Sequence, residues 1–166
     1  MALLVLIPVS VLLVILQTAV LPSFALVDAR VDLVLLLVVA WALTGRVVQA
    51  MILSLVAGLL LDLLSGVPLG ISAIALMAAA NVATLAQGRL WRAHQFAALG
   101  AMLLATVTFY AILGVVILLI HPGTDPAVSL ARIILPATLL NLALAIPAVQ
   151  LAAGVERRLY PPKVAL

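Results

Sequence analysis

Six apolar runs, each long enough or nearly long enough to cross a bilayer, make up most of this chain and leave it one suitable solvent. They cover roughly Ala2–Leu21, Asp32–Thr44, Val47–Leu64, Leu69–Gln87, Gln95–Ile120 and Leu130–Gly154. A spanning helix needs about 20 mostly apolar residues, because the hydrocarbon core is about 30 Å thick and the helix rises about 1.5 Å per residue. Over all 166 residues, 68% are hydrophobic and 8% are charged, against about 45–50% and about 25% in a soluble domain. A globule of this size has too little interior to hide such a fraction, so lipid must be the solvent. The sequence predicts an all-α polytopic membrane protein with six transmembrane helices in a single transmembrane domain, residues 1–166. No Ser/Gly-rich linker or charge block divides it.

The first run has no Lys or Arg before it and is longer than the roughly 7–15 apolar residues of a secretory signal. We read it as a retained helix. The second run is too short to stand upright across a bilayer. It either thins the membrane locally or forms a re-entrant hairpin with the third, turning at Gly45-Arg46. Pro136 and Pro147 in the last run predict bends, and Pro8 a milder distortion in the first.

Charge gives the orientation. With six spans, one side holds Arg46, Arg89, Arg92, Arg157, Arg158 and Lys163, and the other holds Arg30 and Arg132. The positive-inside rule places both termini in the cytoplasm. Four acidic residues, Asp28, Asp32, Asp62 and Asp125, then fall on the outer side. The basic residues are scattered singly or in pairs, which excludes a nucleic-acid surface.

Catalytic chemistry is missing. The chain has no cysteine, so disulfides and thiolate metal sites are excluded. His94 and His121 fall in loops on opposite sides and cannot share a metal. There is no His-Glu-x-x-His, no Gly-x-Ser-x-Gly and no phosphate-cradling loop. The only lysine, Lys163, lies in the tail, too far to serve as a base for an intramembrane serine. No catalytic residue, metal or cofactor is expected, and the nearly charge-free midplanes argue against an ion pathway.

One segment stands out from the lipid-solvating residues: Gly58-Leu-Leu-Leu-Asp62-Leu-Leu-Ser-Gly66-Val-Pro68-Leu-Gly70. Gly66 suits a left-handed C-cap and Pro68 stops further helix. Asp62 falls in the last turn of the third helix, where the negative end of the macrodipole opposes a carboxylate by about 0.3–1 kcal/mol. Stepping back by four gives Gly58, Ser54 and Ala50, a stripe of small residues of the kind that lets helices approach closely. Asp62 thus reads as a carboxylate ending a buried helix–helix face, with Arg30 and Arg132 as candidate counter-ions. The plainer alternative is an interfacial aspartate wetted by headgroup water.

Asp32 opens the second helix, where a carboxylate serves as N-cap. Further small-residue stripes occur at Ala75, Ala79 and Ala83, and at Ala93, Ala97, Ala101 and Ala105; they permit a homodimer. The amides Gln17, Asn81, Asn141 and Gln150 are expected to hydrogen-bond between helices.

Leu16-Gln17-Thr18 with Leu21-Pro22, then Asp32-Leu33 and its leucine-rich run, then Gly58-Leu59-Leu60 and Asp62-Leu-Leu-Ser-Gly66-Val-Pro68-Leu-Gly70, resemble the rod-shape-determining protein MreD family. Val31 stands where that family usually has proline. The resemblance implies a six-helix fold similar to the substrate-binding subunits of energy-coupling-factor transporters. It also implies a non-enzymatic inner-membrane scaffold of the bacterial cell-elongation complex, bound to the bitopic protein MreC. Through MreC, such a scaffold reaches the peptidoglycan polymerase RodA and its transpeptidase partner. By matching position, Gln17, Pro22, Asp32, Asp62, Gly66, Pro68 and Gly70 become the residues of structural or partner-contact interest, together with Gly58. The alternative is a small-ligand-binding subunit of an energy-coupling-factor-type transporter, with the alanine stripes of the fourth and fifth helices docking an energising partner.

Overall fold

A computed structural model describes residues 2–20, 31–90, 96–120, 123 and 134–161. Six α-helices account for nearly all of them: α1 (Ala2–Ile15), α2 (Leu33–Leu43), α3 (Val47–Ser65), α4 (Ile71–Leu90), α5 (Phe96–Ile120) and α6 (Leu135–Leu159). A π-helical stretch, Leu16–Val20, continues α1. Four of the helical segments, Ala2–Ala19, Val47–Ser65, Ala97–Ile120 and Leu135–Leu159, are long and apolar enough to cross a membrane. The chain is therefore an integral membrane protein.

The short helix is the centre of the bundle. At 11 residues and about 1.5 Å per residue, α2 cannot bridge a hydrocarbon core of about 30 Å. It contacts all five other helices, and nine of its residues, including Trp41, are buried. An uninterrupted apolar run suits this position because no face of α2 meets water. α2 ends in a tight turn in which Gly45, at φ +87°, donates its N–H to the Ala42 carbonyl. The chain then reverses into α3, as the Gly45-Arg46 reading anticipates.

Along α3 the stripe of small residues is buried: Ala50, Ser54, Gly58 and Asp62 all face inward, and α3 packs closely on α4. Gly58 is the point of nearest approach. A Cβ built there would lie 2.3 Å from the Ala73 Cα and 2.5 Å from its backbone nitrogen. Ala75, Ala79, Ala83, Ala101 and Ala105 are buried within the chain as well, in keeping with the extensive packing of α4 on α5. These five alanines pack within the chain, Ala97 is partly buried, and Ala93 lies outside the described residues.

The prolines divide by position. Pro147 lies inside α6, whereas Pro136 occupies its first turn. Ile134, just before α6, already has helical backbone angles (φ −70°, ψ −46°), and the residues before it lie outside the described ones, so the bend expected at Pro136 falls at the edge of the described chain.

Candidate functional site

The end of the bundle where α3 stops and α4 starts collects most of the polar side chains singled out in the sequence. Gly66 caps α3 in the left-handed region (φ 69°, ψ 13°), which glycine reaches without steric cost. Pro68 and Gly70 complete the turn, with Gly70 at φ +95° and its carbonyl accepting the N–H of Ile74 at 2.9 Å.

Asp62 folds across this turn. One carboxylate oxygen accepts the Gly70 N–H at 2.7 Å and the other accepts the Ser72 N–H at 3.0 Å. The residue is 1% exposed, which rules out an aspartate wetted at the interface. Its partners are amides at the start of α4. The first four N–H groups of a helix have no intrahelical acceptor and lie at the positive end of the macrodipole. The negative end of α3 opposes Asp62, and the adjacent positive end of the antiparallel α4 compensates. Asp62 is thus an N-cap delivered from the preceding helix. The proposed counter-ions Arg30 and Arg132, and also Pro22, lie outside the described residues.

A second polar node is buried among four helical segments. Asp32 stands at the N-cap position of α2, but its side chain makes no capping hydrogen bond, contrary to the sequence reading. The carboxylate points to tertiary partners instead. It accepts from Gln17 Nε2 at 3.1 Å, from the Tyr110 hydroxyl, and from Asn141 Nδ2 at 3.4 Å. Capping passes to two amides: Gln17 Oε1 accepts the Val34 N–H at 3.1 Å, and Asn141 Oδ1 accepts the Asp32 N–H at 3.1 Å. The node therefore ties the π-helical stretch, α2, α5 and α6 together in a region where unsatisfied polar groups cost several kcal/mol each. Of the amides expected to bond between helices, Gln17 and Asn141 do so, whereas Asn81 donates to the Met77 carbonyl one turn back in its own helix at 2.9 Å; Tyr110 was not identified from sequence, where a lone tyrosine in an apolar run carries no signal.

The two clusters line one cavity of about 660 Å³. Its polar lining is Gln17, Thr18, Asp32, Ser65, Ser72 and Tyr110, and its apolar walls come from the C-terminal ends of α3 and α5, with Leu61, Phe109, Leu113 and Ile117 among them. α3 and α5 both pack on α4 but make little contact with each other, and the space between their ends is this cavity.

At the opposite end of α3, Arg46 closes a third cluster. Its Nε and Nη2 both donate to Glu156 Oε1, at 3.2 and 3.0 Å, and its guanidinium lies 3.8 Å from the centre of the Tyr160 ring. Gln49 donates to the Tyr160 hydroxyl at 2.8 Å and accepts from Trp41 Nε1 at 3.2 Å. The C-terminal turn of α6 is thereby fastened to the α2–α3 turn.

The family model for "rod shape-determining protein MreD" matches residues 1–152. The chain belongs to the MreD family. That match covers the π-helical stretch, the Asp32 node, the Asp62 turn and most of α6, so all three clusters except Glu156 and Tyr160 fall within it. No curated protein and no solved structure matches the chain. Membership assigns the protein a role in rod-shape determination, and MreD proteins are shape-determining membrane proteins, not a known enzyme family.

Proposed function

We propose that this MreD-family protein is a non-enzymatic scaffold of the cell-elongation complex, held in the inner membrane with both termini cytoplasmic. It binds MreC and, through it, helps position RodA and its transpeptidase partner. The carrying observation is the use made of the buried carboxylates. Asp62 receives the amides of α4, and Asp32 receives Gln17, Tyr110 and Asn141. Both act as tertiary fasteners. A carboxylate saturated by fixed donors is poorly suited to acid–base chemistry, which needs hydrogen-bond reach to a substrate proton. Polar groups spent on rigidity suit a protein whose work is to present a fixed surface.

The transporter reading finds less support. Ala75, Ala79, Ala83, Ala101 and Ala105, from the stripes that would dock an energising subunit, are buried within the chain. Isolation in mild detergent followed by native mass spectrometry tests the choice. A scaffold brings with it a single-span partner bearing a periplasmic domain; recovery of transporter ATPases alone refutes it.

A further inference from the structure

We infer that the cavity between the ends of α3 and α5 binds an uncharged amphiphile, with a polyhydroxyl head at its polar floor and an apolar tail along α5. The inference is independent of the scaffold reading. The volume, about 660 Å³, lies within the usual range for small-molecule sites, about 300–1,000 Å³. The cavity offers hydrogen-bonding capacity that an apolar chain cannot use. Gln17 spends one amide hydrogen on Asp32 and one lone pair on the Val34 N–H, which leaves a second donor and a second acceptor. Thr18 donates its hydroxyl to the Val14 carbonyl at 2.7 Å, and its oxygen keeps acceptor capacity. Ser65, Ser72 and Tyr110 add three more hydroxyl-bearing residues to the lining. Hydrocarbon packed against such groups leaves them unsatisfied at a cost of kilocalories.

The mixture of donors and acceptors decides the class of head. A phosphate offers acceptors only and would leave the spare acceptors of Gln17 and Thr18 unmet. An ammonium offers donors only, and Asp32 already accepts from three side chains. A hydroxyl both donates and accepts, so a cluster of them matches Gln17, Thr18 and Ser72 without bringing in a charge. Beyond this floor, Phe109, Leu113 and Ile117 continue one face of α5 as an apolar wall for the tail.

Three photoactivatable octyl probes with a diazirine in the tail distinguish the heads: a glucoside, an amine and a phosphate. The full chain in phosphatidylcholine nanodiscs is labelled with each, and the sites are mapped by peptide mass spectrometry. The glucoside probe should label 109–120 saturably and be displaced by unlabelled octyl glucoside. Gln17→Leu and Thr18→Val should each weaken its apparent affinity by about threefold or more, the scale of one net hydrogen bond. Labelling near Leu139 and Leu151, which are exposed on α6, should not change. Among the described residues Thr18 receives no hydrogen bond from another helix, so Thr18→Val decides the matter if Gln17→Leu fails to fold. Preferential labelling by the phosphate or the amine overturns the inference. So does equal, unsaturable labelling by all three, which marks an ordinary lipid-facing surface.

Discussion

Gly58 on α3 lies so close to Ala73 on α4 that even a methyl group at Gly58 would meet backbone atoms, 2.3 Å from Cα and 2.5 Å from nitrogen. Because the obstacle is backbone, no rotamer change relieves it; the helices must separate. Gly58→Ala is expected to lower stability by about 1–3 kcal/mol, the range for overpacking a close contact. The informative control is Gly58→Ala combined with Ala73→Gly. Removing the Ala73 side chain leaves both backbone clashes in place, so the double variant should regain little in thermal or denaturant unfolding. Full recovery would mean that the contact is one between side chains.

Gly58 lies one helical turn before Asp62, so the close approach also brings the carboxylate to the amides of α4. Asp62→Ala leaves the Gly70 and Ser72 N–H groups without their acceptor, at an expected cost of about 1–3 kcal/mol. Asp62→Asn should recover less than half of that. A carboxamide has one acceptor oxygen for two amides, and its NH2 group would face a second N–H. Faster hydrogen exchange at Gly70 and Ser72 should accompany both changes. In cells, Asp62→Ala should disturb shape or assembly more than Asp28→Ala; equal, negligible effects would show that the cap is dispensable.

The helices, the Gly66 cap and the buried stripe at Ala50, Ser54, Gly58 and Asp62 are legible in the sequence because each rests on local spacing or on one residue's conformational range. The partners of the carboxylates are not. Asp62 reads as a misfit because its own helix disfavours it, and only the antiparallel return of α4 shows why it is tolerated. Asp32 reads as a helix cap because the sequence around it is that of a cap. Its side chain turns elsewhere because Tyr110 and Asn141, 78 and 109 residues away, are brought against it by folding. Gln17 then takes over the Val34 amide. Contacts of that kind follow from tertiary placement, and no periodicity encodes them.

The Asp32 node makes a prediction of its own. Tyr110→Phe keeps the ring and its edge-on contact with Phe109, whose centroid is 5.5 Å away, but removes one donor from a buried carboxylate. Hydrogen bonds to charged groups contribute about 1.5–3 kcal/mol, so a loss of that order is expected in denaturant titration. Asn141→Ala removes both a donor to Asp32 and the acceptor of its N–H, and should cost more. A smaller effect from Asn141→Ala than from Tyr110→Phe would show that the carboxylate relies on the hydroxyl alone.

Arg46 should matter less than its three contacts suggest. Its side chain is 37% exposed and that of Glu156 is 22% exposed, and partly solvated pairs are screened to about 0–1 kcal/mol. Glu156→Gln is therefore expected to shift stability by less than about 1 kcal/mol. Tyr160→Ala removes the ring beneath the guanidinium and the acceptor for Gln49, and should destabilise more than Glu156→Gln. A double-mutant cycle between positions 46 and 160 would measure the cation–π share directly.

The same ion pair bears on orientation. Arg46, in the α2–α3 turn, touches Glu156 beside Arg157 and Arg158 at the end of α6, so these basic residues share one end of the bundle. Asp62 and the α3–α4 turn occupy the other. An excess of Lys and Arg marks the cytoplasmic side, so the proposed orientation has the C-terminal turn of α6 inside and the cavity floored by Gln17 and Asp32 toward the outer surface. The chain has no native cysteine, so single introduced cysteines report without background. Cysteines at positions 28 and 125 should react with an impermeant maleimide added to intact spheroplasts. A cysteine at position 90 should react only after lysis. The reverse pattern would invert the protein, turning the cavity toward the cytoplasm and placing its basic end against the rule that orients nearly all helical membrane proteins.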